Sequence, residues 1–215
     1  VTGVQTCALP ISIGESHEKG LLLRSGAQPG DVVVVTGTFG SSAAGLELLL
    51  PGDSASSVEG REQLLLAHLE PQPRLAEALA LVHLVGSRGA LMDASDGLGD
   101  ALWQIAEQSQ VDIEVDLEAI PRSAAMSSFA QARGVNPYQW ALYGGEDYEL
   151  VAAISQDDWL KAQSLAGQSF PFKKIGVVLA SPPAPAGSEL EVDRVRLLAS
   201  GDSSGTFSGV VNLSN

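Results

Sequence analysis

Acidic residues crowd one short stretch, "DASDGLGD", where Asp93, Asp96 and Asp100 fall within eight positions. Like charges this close repel, so a folded chain keeps them for water, for a helix start or for a cation. Asp93 closes an expected strand and Asp96 opens an expected helix, the edge of an α/β unit where ligands commonly sit. Both suit Mg²⁺, which takes one or two carboxylates and completes its shell with waters and phosphate oxygens. Ser95, in the same turn, can donate to a phosphate, and the backbone N–H groups of Gly97 and Leu98 fall at the positive end of the helix. A plainer reading stands beside this one. Ser95 or Asp96 caps the helix, a role worth about 1 kcal/mol, which explains Asp96 but not Asp93. Asp100, one turn on, reads as a solvated face residue. Named loops do not fit. An EF-hand begun at Asp93 needs Gly and Glu where Leu98 and Gln104 stand. The Gly97–Gly99 pair lacks the third glycine of a dinucleotide fingerprint, with Leu102 in its place. No glycine loop is followed by a Walker A lysine.

A second concentration is "YGGEDYEL", Tyr143 to Leu150. Gly144 and Gly145 allow a tight turn or a close approach of backbone to a ligand. Glu146, Asp147 and Glu149 then enter a strand. Carboxylates are costly on a buried sheet, so all three are expected to face water or a polar ligand. An ordinary acidic turn is the alternative. "VTGTFGSSAAGL" (Val35 to Leu46) is a small-residue strand-to-helix turn; lacking lysine, it reads as close helix packing. His17, His68 and His83 have no ligand spacing, and the last two read as helix residues with satisfied side chains.

These residues need elements to carry them. "DVVVVT" (Asp31 to Thr36) reads as a buried strand between Pro29-Gly30 and Gly37. Helices follow over Ser41 to Leu50, broken by Pro51-Gly52-Asp53, and over Glu62 to Leu69 after a polar loop at Ser54 to Gly60. "EPQPR" stops the second helix and starts a third, with Pro73 near its first turn, ending near Gly86. A short strand at Ala90 to Asp93 leads into a helix running to about Gln108, with Leu98, Ala101, Leu102, Ile105 and Ala106 along one side. "VDIEVDL" (Val111 to Leu117) alternates as a half-exposed strand. A helix over Ser123 to Arg133, a helical turn opened by Asn136-Pro137, a strand at Glu149 to Ile154, a helix over Gln156 to Ala166 and a strand at Lys173 to Leu179 complete the pattern. "ASPPAPAG" (Ala180 to Gly187) reads as a turn or linker. Strands and helices mix without repeats, so the expectation is one α/β or α+β domain.

Composition bounds the partners. Of 215 residues, 45% are apolar and 18% charged, enough to fold around a core. Twelve basic against 26 acidic residues give a net charge of −14, which argues against nucleic acid or an anionic membrane as main partner. A phosphate ligand stays possible, since bound cations reverse the local sign. There is no apolar run of membrane-spanning length; the most apolar helix, Leu75 to Val85, is interrupted by Glu77 and His83. The single cysteine, Cys7, rules out an internal disulfide framework and fits a reducing cytoplasm. Val1 to Ile11, back-translated, resembles a sequencing-library adapter read in frame, so residues 1–12 are expected to be an artefact rather than a native terminus. The last residues, 201–215, are rich in Ser and Gly and are expected to form a flexible tail.

Taken together, "LLRSGAQPGDVVVVTGTFGSSAAGL", "HLEPQPRL", "LMDASDGLGDAL" and "WALYGGEDYELV" resemble the thiamine-monophosphate kinase family of the aminoimidazole-ribonucleotide-synthetase-like superfamily, over about Ile13 to Val178. The resemblance implies an α+β fold, a mixed sheet flanked by helices. It implies residues 13–28 as the remnant of an N-terminal domain and linker, with 29–200 as the C-terminal domain. The implied activity is transfer of the γ-phosphoryl group of ATP to thiamine monophosphate, giving thiamine diphosphate, by a cytoplasmic homodimer that binds neither nucleic acid nor membrane. By motif, Asp93 and Asp96 match Mg²⁺ ligands, Ser95 and Arg24 match ATP contacts, and Glu146 matches a contact to thiamine. The family's N-terminal half, with further aspartates and a glycine-rich nucleotide segment, has no counterpart in the sequence. The family's C-terminal substrate-packing aromatic has no clear counterpart either, "SSGTFSG" offering only Phe207. The chain is therefore expected to be inactive alone. Alternatives are selenophosphate synthetase, a hydrogenase maturation protein, or a non-catalytic ligand-binding module; "GGEDYEL" after "DASDGL" favours the thiamine enzyme.

Overall fold

A computed structural model describes residues 15–16, 18–50, 58–164, 170–181 and 194–199. The expected break at Pro51, the end of the Gln156 helix, most of the "ASPPAPAG" segment, residues 1–12 and the 201–215 tail lie outside the described residues. Among the described residues six strands form one sheet in the order β2 (Ala90–Asp93), β4 (Leu150–Ile154), β1 (Val32–Val35), β5 (Lys173–Ala180), β3 (Val111–Asp116), β6 (Val195–Leu198). All neighbours are antiparallel except β3 and β6, which run parallel. The result is the expected α+β arrangement.

The four valines of β1 are buried because both sheet faces are covered. Val33 and Val35 point into a core shared with Leu98, Leu102 and Ile105 of α4 (Leu98–Ser109) and with Ala141 and Leu142 of α6 (Pro137–Tyr143). Val32 and Val34 face the opposite way, onto Leu81 of α3 (Leu75–Val85) and Trp159 of α7 (Gln156–Ser164). A third cluster joins α1 (Ser41–Leu49), α2 (Arg61–Leu69) and α5 (Ala124–Arg133), where Phe129 stacks on Trp140 at 5.6 Å. Gly45 lets α1 and α2 touch, since a Cβ there would lie 2.1 Å from the Leu64 carbonyl oxygen. His68 of α2 meets the Ser42 hydroxyl at 3.0 Å, and His83 bonds the Leu79 carbonyl, so both are satisfied as expected. None of the described helices is long and apolar enough to cross a membrane.

Three expectations need correction. Neither Ser95 nor Asp96 caps α4: Gly97 holds the N-cap position at φ 105°, without a side-chain cap. β3 is less exposed than its alternation suggested. Asp112 is buried, paired with Arg196 of β6 at 3.1 Å and accepting from Ser181 at 2.8 Å. β6 itself was not foreseen in the sequence; as a parallel edge strand it pairs along the outer edge of β3 and brings Arg196 to Asp112. At the starts of α5 and α6 the local signals held. Ser123 accepts from the Met126 amide and Asn136 from the Tyr138 amide, with Pro137 in the first turn.

Candidate functional site

β2 ends at Asp93, opposite Leu150, and the chain then turns through Ala94, Ser95 and Asp96 into α4. The 144–149 segment is laced to this turn. Ala94 N–H donates to the Glu149 carbonyl at 2.8 Å, and Glu146 N–H donates to the Ser95 carbonyl at 2.7 Å. Gly145 makes the approach possible, because a Cβ there would sit 2.7 Å from the Ser95 oxygen. The two acidic stretches of the sequence thus become one surface.

On that surface Asp93, Asp96 and Glu146 are exposed. Hydrogen bonding to the Glu146 carboxylate, Glu146's charge and the fields of Asp93 and Asp96 push the Tyr148 phenol above its ordinary pKa. Among the described residues no hydrogen bond or ion pair engages the carboxylates of Asp93 or Asp96. Nor do three or more His, Cys, Asp or Glu side chains of the described residues converge as a closed metal cage. Two open carboxylates at a strand end fit Mg²⁺, a cation that keeps waters and takes phosphate oxygens rather than requiring an all-protein shell. Arg24 lies alongside α4. Its guanidinium donates to the Gln104 side chain, Gln104 donates to Asp100 at 2.6 Å, and Ser109 donates to the Arg24 carbonyl at 3.0 Å. Asp100 is therefore part of this relay and only half-buried, rather than a freely solvated residue. Arg24 approaches the turn through the first turns of α4, not by touching Asp93 or Asp96.

The 144–149 segment has a second side. Glu146 and Tyr148 face out, whereas Asp147 and Glu149 are buried with partners within the chain, against the expectation that all three acids face water or a polar ligand. The cost of burial is offset by partners the sequence did not announce. Asp147 accepts from Gly40 N–H at 2.7 Å and Ser42 N–H at 3.0 Å, capping α1, which has no side-chain cap of its own. Burial nevertheless raises its pKa to about 6, opposed by those two amides and reinforced by Glu149's charge. Glu149 accepts from Arg74 Nε at 2.7 Å and Nη2 at 2.6 Å, and from the Thr36 hydroxyl at 2.6 Å. The pairing holds the Arg74 guanidinium above its ordinary pKa, through the Glu149 hydrogen bond first of all. Gly37, at φ 49°, leaves room for this carboxylate: a Cβ would lie 1.9 Å from it. Next to the pair, a cleft of about 330 Å³ is lined by Thr38, Ser41, Gln63, Arg74, Asp147 and Glu149. Arg74 was passed over in the sequence, where "EPQPR" signalled only a helix boundary. The signal was an arginine fixed next to Pro73 at that boundary.

Comparison with known proteins places this geometry. Residues 28–184 match the model of the AIR synthase related protein, C-terminal domain. The thiamine-monophosphate kinase of Bacillus subtilis (strain 168) is 40% identical over 169 residues, covering 77% of this chain and 50% of that protein. The chain thus spans about half the length of the curated relative it matches. A solved structure described as "AaThiL complexed with AMPPCP and TMP" is 31% identical, with a TM-score of 0.67, over 83% of this chain and 50% of that one. The structure of Escherichia coli HypE, at 21% identity and a TM-score of 0.54 over 82% of this chain and 48% of that one, shares the fold. A mixed sheet with both faces covered, an acidic turn after β2 and a family model matched across most of the described residues agree, and the chain belongs to the AIR synthase related family through that family's C-terminal domain.

Proposed function

We propose that the chain is the C-terminal part of a thiamine-monophosphate kinase. The observation that carries this reading is the joining of "DASDGLGD" and "GGEDYEL" into one acidic face in a chain 40% identical to proteins of that name. The complex with AMPPCP, an ATP analogue, and TMP supports ATP and thiamine monophosphate as substrates. In this reading Asp93 and Asp96 hold Mg²⁺, Ser95 and Arg24 contact ATP, and Glu146 contacts the thiamine moiety. Mg²⁺, when bound, neutralises charge on the phosphates and orients them for in-line transfer.

An oxygen of the thiamine phosphate attacks the γ-phosphorus, the bond from that phosphorus to the bridging oxygen breaks, and ADP departs with the electron pair. The attacking oxygen is already anionic, so no side chain has to remove a proton. The chain's own work is positioning and charge compensation. Asp93 and Asp96 fix the cation's place at the end of β2. The Ser95 hydroxyl donates to phosphate. Glu146, held against the Ser95 carbonyl, sets the acceptor's orientation. The remaining contacts belong to the other half of the enzyme, which works as a cytoplasmic homodimer; residues 13–28 link that half to the 29–200 domain. HypE shares the fold alone and does not favour a maturation role.

The test is steady-state kinase activity over a Mg²⁺ titration, in the protein extended to the length of its relatives. Asp93→Asn and Asp96→Asn should each lower kcat at least about a hundredfold, with raised Mg²⁺ restoring part of it and circular dichroism unchanged. Normal kinetics in both variants would overturn the metal assignment.

A further inference from the structure

The front of the 144–149 segment is held in an uncommon backbone. Glu146 has φ 66° and Tyr148 φ 52°, the left-handed region that residues other than glycine seldom take. Such conformations persist where surrounding contacts over-determine them. The contacts here come from behind. Asp147 is bound to the first amides of α1, and Glu149 is gripped by Arg74 at the start of α3 and by Thr36 at the end of β1. Thr36 continues the chain of bonds, its hydroxyl accepting from Leu150 N–H at 2.8 Å. The Glu149 carbonyl in turn holds the Ala94 amide of the Asp93 turn. A side chain on a distant helix is thereby tied, through one buried carboxylate, to both acidic stretches.

We propose, on the kinase reading above, that Arg74 is a positioning residue: by clamping Glu149 it holds the 144–149 segment in the conformation that presents Glu146 on the face of Asp93 and Asp96. The planar fork is required, because it meets both carboxylate oxygens at once. Lysine supplies the charge but a single point of attachment.

The reporter is amide hydrogen exchange in the 215-residue chain, at Glu146 and Ala94, whose N–H groups bridge the two loops. Arg74→Met should speed exchange at both about tenfold or more, while Val34 and Ala152 in the sheet centre keep their protection. Arg74→Lys should fall between, and Glu149→Gln, which keeps the shape but weakens the grip, should resemble it and carries the test if Arg74→Met does not fold. In the protein extended to full length, Arg74→Met should lower kcat/KM for thiamine monophosphate at least about tenfold and leave the KM for ATP within about twofold. Unchanged exchange at Glu146, or a loss of protection spread equally through β1 and β4, overturns the positioning role. If exchange responds as described but the unsubstituted full-length protein transfers no phosphoryl group, the kinase reading fails and the clamp stands.

Discussion

At the scale of the residue, a single segment alternates between two roles, and each carboxylate's surroundings decide which it plays. Asp93 and Asp96 are open to water, and Asp100 is engaged by Gln104. Asp100→Asn should therefore keep kinase activity within about threefold of the parent, in contrast to the Asp93 and Asp96 variants, when assayed side by side in the full-length protein. Asp147 makes a different prediction. Its folded pKa, about 6, lies above the ordinary carboxylate value of 3.8. A carboxyl raised on folding binds more protons in the native state than in the unfolded chain between those two values. Stability is then fullest at the acidic end and declines as pH rises through the folded pKa. Urea unfolding of the parent and of Asp147→Asn, compared at each pH, should show the parent losing ground from about pH 4 and levelling off above about pH 7. A flat difference across that range would mean Asp147 is ionised throughout. Burial, opposed by the amides of Gly40 and Ser42, sets how large the decline is.

At the scale of the element, the ion pair between β3 and β6 carries a prediction of its own. Asp112 is buried while the Arg196 side chain is 53% exposed. Breaking a fully buried pair costs about 3–5 kcal/mol, and exposure of one partner reduces this, so Arg196→Met should cost about 1–2 kcal/mol in urea unfolding. Asp112→Asn in the same chain should recover most of it. These elements also show what the sequence could reveal. Val32–Val35, Ala90–Asp93 and the Ser123 and Asn136 helix starts were legible because burial pattern, capping residue and proline are local signals. β6 was not, since four residues of mixed polarity acquire strand character from a partner some eighty positions away. The Asp93 and Glu146 stretches were legible as acid clusters, and the family resemblance joined them. The sides that Asp147 and Glu149 face were hidden, because their partners, the α1 amides and Arg74, come from remote parts of the chain.

At the scale of the whole molecule, on the proposed kinase reading this chain is one part of a larger enzyme. The chain spans about half of its relatives, so the isolated 215-residue protein should show no phosphorylation of thiamine monophosphate above background in a coupled ADP-release assay. Turnover comparable to a full-length relative would show that the second half is dispensable. Four of the six strands, β1, β2, β3 and β6, run in one direction, with β4 and β5 against them. Val35, Asp93, Asp116 and Leu198 therefore all finish at one rim of the sheet, the rim that bears the acids. Asp93 and Leu198 stand at its two extremes, five strand spacings apart in the order of the sheet. At about 4.8 Å per spacing that is roughly 24 Å, a gap that about seven extended residues span. By register Leu198 lies level with Ala90 and Leu91, short of Asp93, so a segment laid across the strand ends from one to the other needs at least that length.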